Sequence, residues 1–103
     1  MKRVVIIGSG NLAEALARAV AKSDLELVQI FARNPERARV VAELAATDWA
    51  THSEMLRQDA DIYLIAVSDK AVEQVAATLP IPESAAVAHT AGSVPVAAIR
   101  ARL

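Results

Sequence analysis

The sequence predicts an α/β fold: a doubly wound parallel sheet covered by helices on both faces, with the strand order 3-2-1-4-5. Strand-like and helix-like segments alternate along the chain, which is the pattern of parallel strands joined by crossover helices. The strand-like segments are apolar on both faces, as expected in a buried parallel sheet. The first of them ends in a glycine-rich turn that opens an amphipathic helix. Residues 1–103 are therefore expected to form one three-layer αβα domain.

The first half of the chain contains three strand signals and two helix signals. The strands are runs rich in branched apolar residues, and the first helix carries apolar residues at spacings of three and four on one face. The second helix begins with Asn34 in the N-cap position and Pro35 in the first helical position, where these residue types are favoured. The predicted strands are residues 3–7, 25–31 and 48–50, and the predicted helices are residues 11–22 and 35–46.

Short polar motifs and prolines delimit the elements of the second half. Thr51 and Glu54 have the spacing of a capping box, which predicts a short helix. Asp69 is placed to cap a further helix, and Pro80 and Pro82 end it. These signals predict a short helix to about residue 58, strands at residues 61–67 and 85–88, and helices at residues 69–79 and from residue 95 onward.

Composition and charge exclude several classes of function. The formal net charge is −1 and no basic stripe is present, so a nucleic-acid partner is not expected. Cysteine is absent, which excludes disulfides and thiol chemistry. The first apolar run breaks at Gly8, too early for a signal peptide, and no run approaches the roughly 20 apolar residues of a membrane span. A cytoplasmic protein is expected, and the sequence contains no recognisable metal-ligand cluster.

The glycine-rich turn after the first strand is the most informative motif. Gly8, Gly10 and Ala13 form a G-x-G-x-x-A pattern at a strand-to-helix junction, where dinucleotide-binding domains hold a diphosphate. Gly8 allows a sharp turn, Gly10 lets backbone N–H groups approach phosphate oxygens, and Ala13 lets the helix lie close to the strand. The pattern predicts nucleotide binding. The alternative is an ordinary strand-to-helix turn that binds nothing.

The end of the second strand indicates which dinucleotide binds. NAD-binding domains place an acidic residue here to hold the ribose 2′-hydroxyl, but this chain has Ala32 followed by Arg33. An arginine would pair with a 2′-phosphate through hydrogen bonds that are each worth about 1.5–3 kcal/mol. Arg33 therefore predicts NADP, and Arg37, one helical turn further on, is a second candidate. The alternative for Arg33 is a solvated surface arginine, and Arg37 is equally compatible with facing water or pairing with a nearby acid.

Residues beyond the fourth and fifth strands are expected to face the nicotinamide end of the ligand. Ligands of such sheets lie at the carboxyl edge, where the strand order reverses. Ser68 and the backbone of Val67 are candidates for contacts with the ribose or the diphosphate, whereas Asp69 is better explained as a helix cap. His89 is a candidate proton donor or substrate-orienting group, with a purely structural histidine as the alternative. His52 is assigned no role.

Four motifs in the same order give the chain a resemblance to a known family. They are Ile-Ile-Gly-Ser-Gly-Asn-Leu-Ala, Phe-Ala-Arg-Asn-Pro-Glu-Arg-Ala, Ile-Ala-Val-Ser-Asp and His-Thr-Ala-Gly-Ser-Val-Pro. Together they resemble the N-terminal cofactor domain of bacterial Rossmann-like oxidoreductases related to pyrroline-5-carboxylate reductase and to the deazaflavin-dependent NADP reductases. The resemblance spans essentially the whole chain. It implies that relatives continue into a helical C-terminal domain for dimerisation and substrate binding, so this chain is expected to be the cofactor domain without it.

The resemblance also implies site residues. It places the diphosphate loop at residues 8–12, the 2′-phosphate at Arg33 and Asn34, and the nicotinamide side at residues 67, 68 and 89–93. With Arg37 included, the predicted cofactor-binding residues are Gly8, Ser9, Gly10, Asn11, Leu12, Arg33, Asn34, Arg37, Val67, Ser68, His89, Thr90, Ala91 and Gly92.

The expected function is that of an NADP(H)-binding oxidoreductase domain. The cofactor would be NADP, and a hydride would pass to or from a small substrate with a C=N or C=O bond, with His89 as the candidate catalytic residue. A homodimer is expected, without a nucleic-acid or membrane partner. Two alternatives stay open: a non-catalytic NADP(H)-binding or assembly module, and a ligand-free scaffold of the same fold.

Overall fold

The computed structural model describes residues 2–66, 79–82 and 84–89, and these residues form five strands, two α-helices and one short 3-10 turn. The elements in chain order are β1 (Arg3–Ile7), α1 (Asn11–Ala21), β2 (Glu26–Phe31), α2 (Pro35–Leu44), β3 (Asp48–Ala50), the 3-10 turn (Ser53–Met55), β4 (Ile62–Ile65) and β5 (Ala86–His89).

All five strands pair in parallel in one sheet of order β3-β2-β1-β4-β5, which confirms the predicted fold and strand order. β1 lies at the centre, and its Ile6 is in register with Ile30 of β2 and Leu64 of β4. From Val4 to Ile7 the strand is buried on both faces. The two-sided apolar pattern of the sequence therefore reflects a central parallel strand.

Helices α1 and α2 both contribute to the apolar cluster on one face of the sheet. Helix α1 contributes Ala13, Leu16, Ala17 and Val20, which recur at the predicted spacing. The opposite face forms a second cluster around Tyr63, against which the partly buried Leu79 packs. None of the helices in the described part of the chain is long and apolar enough to span a membrane.

Helix α2 starts as predicted but ends two residues earlier than expected. Asn34 is the N-cap, and its side chain accepts a hydrogen bond from the backbone N–H of Arg37. The helix ends at Leu44 because Ala46 adopts a left-handed backbone with φ +53°. Hydrogen bonds from the N–H groups of Ala46 and Thr47 to the carbonyls two and three positions before the C-cap form a Schellman motif. Such a helix end normally has glycine at this position, so the alanine gave no sequence signal for the end of the helix.

The alanine at this helix end predicts a stabilising substitution. We expect Ala46→Gly to raise the free energy of unfolding by about 0.5–1 kcal/mol, because glycine adopts the left-handed conformation without the steric cost that alanine bears. The greater freedom of glycine in the unfolded chain offsets part of the gain. The thermal midpoint should rise by about 2–8 °C. Ala45→Gly, one residue earlier at φ −107°, is the matched control and should lower the midpoint.

The predicted capping box after β3 is wrong. The N-cap is His52 instead of Thr51, no side chain caps the turn, and the chain forms only the 3-10 turn instead of a helix to residue 58. The reason is Gln29 on β2, which is buried at 5% exposure. Its side chain donates to the Met55 carbonyl at 3.0 Å and accepts from the Arg57 N–H at 3.0 Å, which takes up backbone groups that a helix would need.

Other boundaries shift by a few residues. β2 begins at Glu26, β4 spans Ile62–Ile65 within the predicted 61–67, and β5 runs from Ala86 to His89 instead of 85–88. Helix α1 ends at Ala21, with Lys22 as its C-cap. The helices predicted at 69–79 and from residue 95 onward lie almost wholly outside the described residues, apart from residue 79.

A cluster of charged groups lies at the amino-terminal edge of the sheet. Asp59 accepts hydrogen bonds from Arg57 at 2.7 and 2.9 Å and from Arg3 at 2.8 Å. The hydrogen bond from Arg57 is the main reason that the pKa of the exposed Asp59 carboxyl is lowered to about 2. Because this cluster is at the edge where the strands begin, it is remote from the edge at which parallel sheets bind ligands.

Candidate functional site

The glycine-rich turn lies at the carboxyl edge of the sheet, where the strand order reverses around β1. Gly8 continues the β1–β2 pairing by donating its N–H to the Phe31 carbonyl at 2.7 Å. Its φ of +134° is a conformation that side-chain-bearing residues rarely adopt. A Cβ here would clash with the carbonyl oxygen of Ala66 and lie 3.0 Å from its carbonyl carbon. Gly8 is therefore required because the chain leaving β4 passes directly against it.

Gly10 differs from Gly8, because the described residues leave space at this position. A Cβ added to Gly10 meets no atom within 4 Å among the described residues, and its φ of −81° suits any residue. Gly10 is the N-cap of α1, yet no described side chain caps the first turn. The first backbone N–H groups of α1 are thus available beside an open space, at the positive end of the helix dipole. This geometry suits a bound anion.

A cleft of about 250 Å³ opens next to this turn, between the ends of β1 and β2. One part of its lining is apolar, and the other part is polar and basic without an acidic side chain among the described lining residues. The lining residues are Ile7, Gly8, Ser9, Phe31, Ala32, Arg33, Asn34 and Leu79. The combination suits a flat aromatic ring attached to anionic groups.

Arg33 and Asn34 both line the cleft, but their side chains differ in the hydrogen bonds and ion pairs that they make. Arg33 is exposed and makes no ion pair or side-chain hydrogen bond with any described residue. Asn34 is exposed too, but its side-chain oxygen caps α2 by accepting from the Arg37 N–H at 3.2 Å. Arg33 is therefore the cation of the cleft lining that is free to bind a ligand within the described part of the chain.

Arg37 is bound to the glycine-rich turn itself. Its Nε donates to the Ser9 carbonyl at 3.1 Å, and its Nη2 lies 3.5 Å from a carboxylate oxygen of Glu14. Arg18 donates to the other oxygen of Glu14 at 3.1 Å. The predicted second cation of the phosphate site is thus engaged with the protein in this structure.

The other predicted site residues are only partly described. Asn11 is exposed at the first position of α1, and the half-buried Leu12 packs against the core, so its backbone is the part free to meet a ligand. His89 ends β5, in register with Ile65 of β4. Val67, Ser68, Thr90, Ala91 and Gly92 lie outside the described residues.

Three contacts near the site were not predicted from the sequence. Ala66 contacts the turn at Gly8, Leu79 lines the cleft, and Glu14 binds Arg37. The end of β4 was expected to lie near the ligand, because β1 and β4 flank the point where the strand order reverses, but the contact of Ala66 with Gly8 was not expected. The roles of Leu79 and Glu14 depend on tertiary contacts that no local pattern encodes.

The fold and the site together define a Rossmann-like, dinucleotide-binding α/β domain. Comparison with sequence families then identifies which one: the chain belongs to the family described as NADP oxidoreductase, coenzyme F420-dependent, whose profile matches residues 3–91. NAD(P)-dependent oxidoreductases make up this family. No curated protein matches the chain.

Solved structures show the same fold. A candidate NADP oxidoreductase from Bacteroides fragilis is 31% identical with a TM-score of 0.80, and the match covers 91% of this chain and 37% of that protein. Prephenate dehydrogenase from A. aeolicus is 19% identical (TM-score 0.73, 86% of this chain and 33% of that one). 1-Pyrroline-5-carboxylate reductase from Streptococcus pyogenes is 21% identical (TM-score 0.70, 96% and 37%). The chain thus spans little more than a third of the length of these proteins.

Proposed function

We propose that this chain is the NADP(H)-binding domain of an oxidoreductase that transfers a hydride to or from a small substrate with a C=N or C=O bond. The proposal rests on one observation: the glycine-rich turn opens directly into the cleft. Backbone N–H donors of α1 without a described partner lie at one end of it, and Arg33, which pairs with no described side chain, lies at the other.

The diphosphate would be held by the backbone of the turn and by the start of α1. The open space beside Gly10 admits phosphate oxygens close to the main chain. Gly8, packed against Ala66, holds the preceding residues rigidly on the sheet, so the donors do not have to be ordered when the ligand binds. The side chains of Ser9 and Asn11 are further candidate donors.

The adenosine end would occupy the cleft. Its apolar lining, including Ile7, Phe31 and Leu79, suits the adenine ring, and Arg33 would bind the 2′-phosphate. Hydrogen bonds between a guanidinium and a phosphate are worth about 1.5–3 kcal/mol each, so one such bond corresponds to roughly tenfold or more in affinity. The acidic residue that binds the ribose 2′-hydroxyl of NAD in related folds is missing from the described part of the cleft lining, which also favours NADP over NAD.

The nicotinamide end would extend from the turn toward β4 and β5. Because Ile65 and His89 are in register, β4 and β5 end at neighbouring points of the carboxyl edge of the sheet. We assign Val67, Ser68 and residues 89–92 to this side, with His89 as the candidate proton donor. When bound, the nicotinamide supplies or accepts the hydride, and the protein supplies its position.

The substrate class is proposed from the relatives. The Bacteroides protein is described as an NADP oxidoreductase, and the fold is shared with 1-pyrroline-5-carboxylate reductase and with an imine reductase from Pseudomonas. The names of the pyrroline-carboxylate reductase and of the imine reductase both denote reduction of a C=N bond. Because the chain covers 37% of the Bacteroides protein, the activity that we assign to residues 1–103 themselves is cofactor binding.

Titration with NADPH and NADH tests the proposal. We expect NADPH to bind at least about tenfold more tightly than NADH, measured by the fluorescence of the reduced nicotinamide and by calorimetry. Equal affinities would remove the NADP assignment, and failure of both cofactors to bind would remove the function. Assays with panels of cyclic imines and keto acids then measure whether NADPH is oxidised.

A further inference from the structure

The two arginines near the candidate phosphate site differ in what they bind. Arg33 has no side-chain partner among the described residues, whereas Arg37 contacts both the glycine-rich turn and helix α1. Arg37 is also less exposed, with 40% of its side chain accessible. Resting on the proposed function, we infer that Arg37 is a positioning residue: it sets the orientation of the turn that binds the diphosphate, while Arg33 determines specificity for the 2′-phosphate.

The inference follows from the peptide group that Arg37 contacts. Its Nε donates to the carbonyl of Ser9, and that carbonyl belongs to the peptide bond between Ser9 and Gly10. No described peptide bond is cis, so the C=O of Ser9 and the N–H of Gly10 point in opposite directions. Fixing the carbonyl toward α2 therefore fixes the Gly10 N–H away from α2. Gly10 lacks a Cβ to restrict this peptide, so an external hydrogen bond is the device that orients it.

Glu14 completes the arrangement by holding Arg37 in place. Its carboxylate lies between Arg37 at 3.5 Å and Arg18 at 3.1 Å and is 28% exposed. A carboxylate in the first turn of α1 would repel a bound diphosphate, and the Arg18 guanidinium, which donates a hydrogen bond to it, offsets its charge in the wild type and in every Arg37 variant. Arg37, which belongs to α2, thus contacts both the turn, through Ser9, and α1, through Glu14. An arginine that served only to bind the 2′-phosphate would not require these contacts.

Two conservative substitutions separate positioning from direct phosphate binding. In glutamine, Nε2 is attached to Cδ just as Nε is in arginine, so Arg37→Gln keeps an N–H donor at the same distance along the side chain and removes the charge. Arg37→Lys keeps the charge but has a methylene group at that place. Positioning requires the glutamine variant to behave like the wild type and the lysine variant to behave like Arg37→Ala. Direct binding of the 2′-phosphate requires the reverse.

The first readout is the affinity for both cofactors. We expect Arg37→Ala and Arg37→Lys to raise Kd roughly fivefold to tenfold for NADPH and NADH alike, with the ratio of the two constants unchanged within about twofold. Arg37→Gln should stay within about twofold of the wild type. Arg39→Ala is the matched control, because it removes the same charge from α2 and, among the described residues, breaks only the exposed pair with Glu43. A loss confined to NADPH and rescued by lysine would overturn the inference.

The second readout is the backbone amide signal of Gly10 in the free protein, which does not depend on a ligand. The chain has three glycines, so the signal is assignable by its disappearance in Gly10→Ala. We expect Arg37→Ala and Arg37→Lys to shift this signal and speed its hydrogen exchange, and Arg37→Gln and Arg39→Ala to leave it in place. If the signal moves but neither cofactor binds the wild type, the proposed function fails and the orienting role of Arg37 stands. If it does not move, the role of Arg37 fails whatever binds.

Discussion

Gly8→Ala is expected to destabilise the protein severely. A φ of +134° costs a residue with a side chain about 1–3 kcal/mol, and the added methyl group would clash with the backbone carbonyl of Ala66. Overpacking against an element that cannot move costs roughly another 1–3 kcal/mol. The sum is a large fraction of the about 5–15 kcal/mol that stabilises a domain of this kind. The thermal midpoint should fall by at least about 10 °C, measured by circular dichroism.

Gly10→Ala is the control for this prediction, since it makes the same chemical change two residues away. Its φ of −81° is ordinary, and the added methyl group meets no described atom within 4 Å. Alanine is a poorer N-cap than glycine, but it also restricts the unfolded chain, so stability should stay within about 1 kcal/mol of the wild type. Binding of NADPH should weaken, because the methyl group enters the space assigned to the diphosphate. Equal stability of the two variants would show that Ala66 does not press against Gly8.

Gly8 and Gly10 also show that a local motif predicts a turn but does not predict every contact that requires the glycine. The sequence pattern indicated a tight turn at Gly8 and close approach of a ligand at Gly10. The structure supplies the second constraint on Gly8, contact with Ala66, which lies 58 positions further along the chain. A contact over such a separation depends on the pairing of β1 with β4, and no window of sequence contains it.

The elements that were predicted well have local causes. The bounds of β1 and β3 agree with the sequence prediction, and α2 starts where Asn34 and Pro35 indicated. Strand order followed from the alternation of elements and the handedness of their connections. The failures have non-local or unusual causes: Gln29 on β2 diverts the chain after Met55, and Ala46 ends α2 in a conformation typical of glycine.

The candidate site shows the same difference between features with local causes and features with non-local causes. Arg33 could be assigned from its position at the end of β2, because an arginine replaces the acidic residue expected there in an NAD site. Helical spacing made Arg37 a second candidate for the same role. Its hydrogen bond to the Ser9 carbonyl depends on how α1 packs beside α2, and this bond is the basis on which we propose different roles for the two arginines.

Arg33→Asp is the substitution with the largest expected effect on binding. It removes the guanidinium assigned to the 2′-phosphate and puts a carboxylate where NAD-binding domains hold the ribose hydroxyl. Loss of one or two charge-assisted hydrogen bonds, with repulsion added, should weaken NADPH binding by about 100-fold or more. NADH has no 2′-phosphate, so its affinity should change by less than about threefold or improve. The preference for NADPH should therefore disappear or reverse in parallel titrations of both cofactors.

Two controls make this result specific to the position of the charge. Arg39→Asp makes the same change of charge on the exposed side of α2, where Arg39 pairs only with Glu43 within the described residues. It should alter both cofactors equally and only slightly, and less as salt is added, because distant exposed charges are screened. Arg33 has no described partner, so its replacement should leave the thermal midpoint nearly unchanged. If Arg33→Asp weakens NADPH and NADH by the same factor at unchanged stability, the arginine acts through general charge and the 2′-phosphate assignment is wrong.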